Sequence, residues 1–94
     1  MTPEGKVKAQ IKVALKGLGA WYCMPVGSGF GRVGIPDFVG VYNGKMFAIE
    51  AKAGNNVTTA LQARELERIN AAGGFAIVVN EDNIKGLGAY LKAL

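Results

Sequence analysis

The stretch Pro36-Asp37-Phe38-Val39-Gly40-Val41-Tyr42-Asn43-Gly44-Lys45-Met46-Phe47-Ala48-Ile49-Glu50-Ala51-Lys52 decides the fold. Asn43-Gly44 at its centre is a strong hairpin signal, because both residues tolerate the positive φ that a two-residue type I′ turn requires. Residues 37–42 and 45–52 then read as the two strands. With so short a turn, Tyr42 faces Lys45, Val41 faces Met46, and so on outward until Asp37 stands opposite Glu50. Directly opposed residues share a face of the sheet. Lys52 lies two positions past Glu50 and points the same way. The pattern predicts two carboxylates and a lysine on one side of a sheet, beside the glycine-rich run 27–34.

Like charges placed directly opposite one another destabilise a hairpin. A divalent cation is the simplest compensation. Oxygen-only ligands select hard ions, Mg²⁺ or Mn²⁺, over zinc or copper. Two carboxylates leave coordination positions for water and phosphate, as phosphodiester hydrolysis needs. The plainer reading is a surface hairpin on which Lys52 pairs with Glu50 or Asp37, and a bulge between Gly40 and Phe47 would shift the register.

The flanks fill in an α/β order. Thr2 can cap a first helix with Pro3 at its first position. Val7, Ile11, Ala14, Leu15 and Leu18 form its apolar stripe, and Gly17 and Gly19 end it. Residues 21–26 read as a short strand. Thr59 and Gln62 fit a capping box at the start of a second helix, whose apolar face is Leu61, Leu66, Ile69 and Ala72. Gly73-Gly74 closes it. Residues 75–79 read as a strand buried on both faces, and Ile84, Leu87, Leu91 and Leu94 give a last helix its inner face. The order αβββαβα implies a mixed sheet flanked by helices, with a C-terminal helix.

Composition narrows the chemistry. The 94 residues suit a single domain, 1–94, and half of them are hydrophobic. The net charge of +4 favours polyanionic partners. There is no histidine and one cysteine. Ser-His-Asp and Cys-His nucleophile systems, histidine metal sites and intrachain disulfides are thereby excluded. No apolar run is long enough to span a bilayer, and no signal-peptide pattern follows Met1. A reducing cytoplasm is the expected compartment.

Two further polar residues lean toward the hairpin's charged face. Glu4 falls on the helical wheel between Ile11 and Leu15, although an acid in a first helical turn is favourable in itself. Gln62 falls between Leu66 and Ile69, although its capping role already accounts for it.

Taken together, Gly34-Ile35-Pro36-Asp37 and Ile49-Glu50-Ala51-Lys52 resemble the PD-(D/E)XK nuclease signature, whose restriction-endonuclease-like core has the same αβββαβ order. Glu50-Ala51-Lys52-Ala53-Gly54, Thr58, Gln62 and Ala71-Ala72-Gly73-Gly74-Phe75 are similar to the stand-alone VRR-NUC branch found in phages and bacteria. The resemblance implies a metal-dependent DNA endonuclease. It makes Asp37, Glu50 and the Ala51 carbonyl the metal ligands, with Glu4 as an accessory acid. Lys52 orients or deprotonates the attacking water, and Gln62 positions water or substrate. It also implies branched or four-way-junction DNA as substrate, a homodimer, and a bacterial or phage-infected cytoplasm. Asn55 and Asn56 depart from the branch, which has basic residues there.

The run 27–34 lacks the Gly-Lys-Ser/Thr ending of a phosphate loop and precedes a strand, so no nucleotide cofactor is expected. Its Ser28 and Arg32 are candidate DNA-backbone contacts, or the run is a plain connector. Lys6, Lys8, Lys12 and Lys16 lie outside the first helix's apolar arc. They form either a phosphate track or a solvated face. Trp21 and Tyr22 suit base stacking or the core, and Cys23 reads as a small buried hydrophobe. The alternatives to a junction-cutting enzyme are a nuclease or nickase with little structure specificity and a non-cleaving DNA-binding module of the same fold.

Overall fold

The computed structural model describes residues 1–26 and 33–94, so Ser28, Arg32 and most of the glycine-rich run lie outside the described residues. The elements run α1 (Pro3–Leu18), β1 (Trp21–Cys23), β2 (Phe38–Tyr42), β3 (Lys45–Ala51), α2 (Ala60–Ala71), β4 (Phe75–Val79), a 3₁₀ turn (Ile84–Gly86) and α3 (Leu87–Lys92). The four strands lie in sequence order, β1-β2-β3-β4. The first three are antiparallel and β4 joins β3 in parallel through α2. This is the expected mixed sheet with flanking helices and a C-terminal helix.

The hairpin register is as the turn predicts. Asn43 (φ 51°) and Gly44 (φ 79°) are both left-handed. Tyr42 pairs with Lys45 and the ladder runs out to Phe38 opposite Ile49. Alternation then sorts the side chains. Phe38, Phe47, Ile49, Ala51 and Val79 point to one face, where Val7, Ile11 and Leu15 of α1 and Leu87 and Leu91 of α3 close over them as the core. All ten of these residues are essentially inaccessible to solvent. Ala48 and Glu50 point to the other face, which α2 covers in part.

The helix signals account for most termini. The Thr2 hydroxyl accepts a hydrogen bond from the Gly5 N–H at 3.0 Å, and Gly19 (φ 73°) ends α1 in the left-handed conformation. Gly17, expected to share that role, lies inside the helix. The capping box of α2 is complete. The Thr59 hydroxyl accepts from the Gln62 N–H at 3.1 Å, and Gln62 Oε1 accepts from the Thr59 N–H at 2.9 Å.

Three expectations need correction. β1 is three residues long rather than six. β4 is an edge strand and mostly half-buried, not buried on both faces. Its outer backbone groups at Ala76 are met by Asn70, whose side chain accepts from the N–H at 2.8 Å and donates to the carbonyl at 3.1 Å. That pairing blunts an edge that would otherwise invite another strand. The inner face of α2 is also turned from the expected one. Leu66 and Ile69 face the sheet, whereas Leu61 and Ala72 are exposed and Glu65 is buried. α2 packs chiefly on β4, and Leu61 is left partly open to solvent. Among the described residues no helix is long and apolar enough to cross a membrane.

Candidate active site

Asp37 immediately precedes β2, and Glu50 is the penultimate residue of β3. The two therefore stand at the open end of the hairpin, one step beyond the last ladder pair. Asp37 Oδ2 accepts a hydrogen bond from the Ala51 N–H at 2.9 Å, which ties the acid to the neighbouring strand. Glu50 is almost wholly buried, at 3% exposure. Two elements bring it partners. Gln62, in the first turn of α2, donates from Nε2 to Glu50 Oε2 at 3.3 Å. Lys52, just past β3, places Nζ 3.8 Å from the same oxygen. The Lys52 N–H donates to the Val79 carbonyl at 3.0 Å, so the lysine's backbone is fixed by the end of β4.

Gln62 thus has two roles at once. Its Oε1 completes the α2 cap and its Nε2 holds Glu50. The first turn of α2 is seated by Gly34 (φ 82°), where an added Cβ would lie 2.7 Å from the Leu61 carbonyl group. Only a residue without a side chain permits that approach. Gly34 therefore sets the segment leading to Asp37 against the helix turn that carries Gln62. The loop after Lys52 is pinned as well, since the Gly54 N–H donates to both Glu81 carboxylate oxygens at 3.1 and 3.2 Å.

Electrostatics make the acid pair costly on its own. Burial first, then the Asp37 charge and a hydrogen bond with Asp37, push the Glu50 carboxyl from 4.5 up to about 8, and Lys52 offsets part of this. A buried carboxylate beside another carboxylate is the arrangement that a bound cation relieves. Asp37 and Glu50 present oxygen only, a chemistry that suits a hard divalent ion. Among the described residues, no three acidic, histidine or cysteine side chains gather closely enough to cage an ion.

α1 contributes two residues from the other side. Lys8 Nζ lies 3.6 Å from Glu4 Oε2 and 3.6 Å from Asp37 Oδ1. Glu4 therefore shares Lys8 with Asp37, and its charge adds, as the smallest contribution, to the upward push on Glu50. Lys8, read in the sequence as part of an outward track with Lys6, turns toward the acids instead, while Lys6 is exposed. A signal was present: Lys8 sits only about 20° beyond Leu15 on the helical wheel and four residues after Glu4. Glu65 drew no attention in the sequence. It is buried on α2, with Arg68 Nη1 3.6 Å from its Oε2, away from the acid pair.

No protein-family model matches the sequence, and no curated protein does. Among solved structures, the chain is similar to a VRR_NUC domain with a TM-score of 0.78 and 26% identity, over 93% of this chain and 95% of that one. The architecture and the residues that resemble the VRR-NUC branch thus lead to the same place, and the chain has the fold of a VRR_NUC domain over nearly its whole length.

Proposed function

We propose that the protein is a divalent-metal-dependent nuclease that hydrolyses phosphodiester bonds in DNA. The observation that carries this reading is the meeting of Asp37, Glu50, Lys52 and Gln62 at one end of the sheet, with Gln62 and Lys52 both at Glu50 Oε2 and Asp37 beside Glu50. Similarity to a VRR_NUC domain supports it.

Asp37, Glu50 and the Ala51 carbonyl would hold Mg²⁺ or Mn²⁺. Such an ion supplies charge neutralisation at the phosphate and makes water a better nucleophile near neutral pH. The protein's own groups do the rest. Lys52, held at the rim of the pair by its backbone bond to Val79, orients the attacking water and faces the negative charge that builds on the phosphate. Gln62 fixes the Glu50 carboxyl and leaves it one orientation. Water adds to phosphorus and gives up a proton to solvent, the bond to the leaving sugar oxygen breaks in line, and that oxygen takes up a proton from solvent.

Branched or four-way-junction DNA is the proposed substrate, cut by a homodimer. Trp21, Val41 and Met46 support the dimer. They form a row across β1, β2 and β3, side by side in the ladder, and each is at least 40% exposed. The test is cleavage of labelled four-way junctions and linear duplexes with Mg²⁺ or Mn²⁺, beside an Asp37→Ala control and a solution mass. Junction cleavage that the control lacks is the expected result. Equal cleavage by both proteins overturns the catalytic assignment. Binding without cleavage by the wild type identifies a DNA-binding module instead.

A further inference from the structure

The two oxygens of Asp37 are already committed. Oδ2 accepts the Ala51 N–H at 2.9 Å, so Oδ1 is the oxygen of Asp37 that can turn to an incoming ion without sharing a backbone bond. Lys8 covers that oxygen, with Nζ 3.6 Å away. The same ammonium is 3.6 Å from Glu4 Oε2, which gives Lys8 two carboxylate seats from one position on α1. Glu4 and Lys8 stand four residues apart with the acid on the N-terminal side, the favoured order for a helical ion pair. Lys8 can therefore release Asp37 and keep Glu4. Lys52 is not its equivalent, because it serves Glu50, two residues before it along the chain.

We propose that Lys8 is the site's resident counter-cation, occupying Asp37 Oδ1 in the ion-free protein and yielding it to a divalent ion by withdrawing onto Glu4. The inference rests on the cation-site reading above and adds a residue that opposes the ion. Lys8 steadies Asp37 when no ion is bound. It also lowers the site's affinity, since an ion must displace it from Oδ1 and then tolerate a unit positive charge nearby.

The test is Mn²⁺ titration by calorimetry, without DNA, on the wild type, Lys8→Gln and Lys8→Arg. Lys8→Gln is expected to bind Mn²⁺ about three- to tenfold more tightly, the size set by removing one charge several ångström from a divalent ion in solvent-screened surroundings. Lys8→Arg keeps the charge and should stay near the wild type. In chelator, Lys8→Gln should melt below the wild type, and saturating Mn²⁺ should close the gap. Mn²⁺ bound by Lys8→Gln and not by the wild type supports the proposal in its strongest form. Affinity equal to or weaker than wild type in Lys8→Gln overturns it and leaves the cation site standing. Binding by neither protein overturns both. If Lys8→Gln melts too low for calorimetry, the rise in melting temperature on adding Mn²⁺ makes the same comparison. A larger rise than in the wild type supports the proposal, and an equal or smaller one overturns it.

Discussion

The Ala51 N–H donates to Asp37 Oδ2 at 2.9 Å, so the backbone of one strand holds the acid that precedes the other. This bond separates the structural from the chemical role of Asp37. In Asp37→Asn the amide oxygen still accepts the N–H, so the fold should keep its stability to within about 1 kcal/mol while cleavage disappears. In Asp37→Ala the buried Ala51 N–H loses its acceptor, which should cost about 1–3 kcal/mol. Urea unfolding of the two variants, alongside a cleavage assay, checks the split.

Glu50 gives the ion-free protein a pH dependence of definite sign. Its carboxyl titrates at 4.5 in the unfolded chain and at about 8 in the folded one. Between those values the folded state binds more protons than the unfolded state, so stability falls as pH rises. The contribution is intact below pH 4.5 and is lost on passing 8. Melting in chelator should show a temperature that declines from pH 5 to 8 in the wild type and stays flatter in Glu50→Gln. Mn²⁺ should offset the decline.

Lys52→Met should lower cleavage about 10²- to 10⁴-fold, the range for losing a group that positions or relays a proton. Mn²⁺ affinity should not weaken, because a positive charge 3.8 Å from Glu50 is removed rather than a ligand. Single-turnover cleavage with a parallel Mn²⁺ titration distinguishes this from a folding defect.

Much of this site is legible in the residues themselves. Asn43-Gly44 sets the turn, the turn sets the register, and the register brings Asp37 to Glu50 with Lys52 beyond. The Thr59–Gln62 box is equally local. What periodicity misses depends on how elements pack. Leu61 looks like an inner residue until α2 is seen to lie chiefly against β4, with Glu65 buried and Leu61 exposed. Lys8 lies just past the apolar arc on the wheel, and a wheel does not show that its long side chain reaches Asp37 on another element.

Gly34→Ala should be among the most damaging single-atom changes available. The new Cβ would lie 2.7 Å from the Leu61 backbone in a left-handed conformation, at a cost of roughly 1–3 kcal/mol or more. The first turn of α2 must then shift, and Gln62 with it. Thermal melting should show the lost stability, and Mn²⁺ affinity should fall because Glu50 loses its amide partner.

The hairpin also bears on how the site assembles. Asp37 and Glu50 are separated by a two-residue turn and the strands beside it, so they can find each other quickly and locally. Gln62 and Lys8 arrive on helices from opposite directions along the chain. A half-assembled copy thus holds the two acids with Lys52 and the Ala51 N–H already beside them but without Gln62 or Lys8, so the helices are what complete the site.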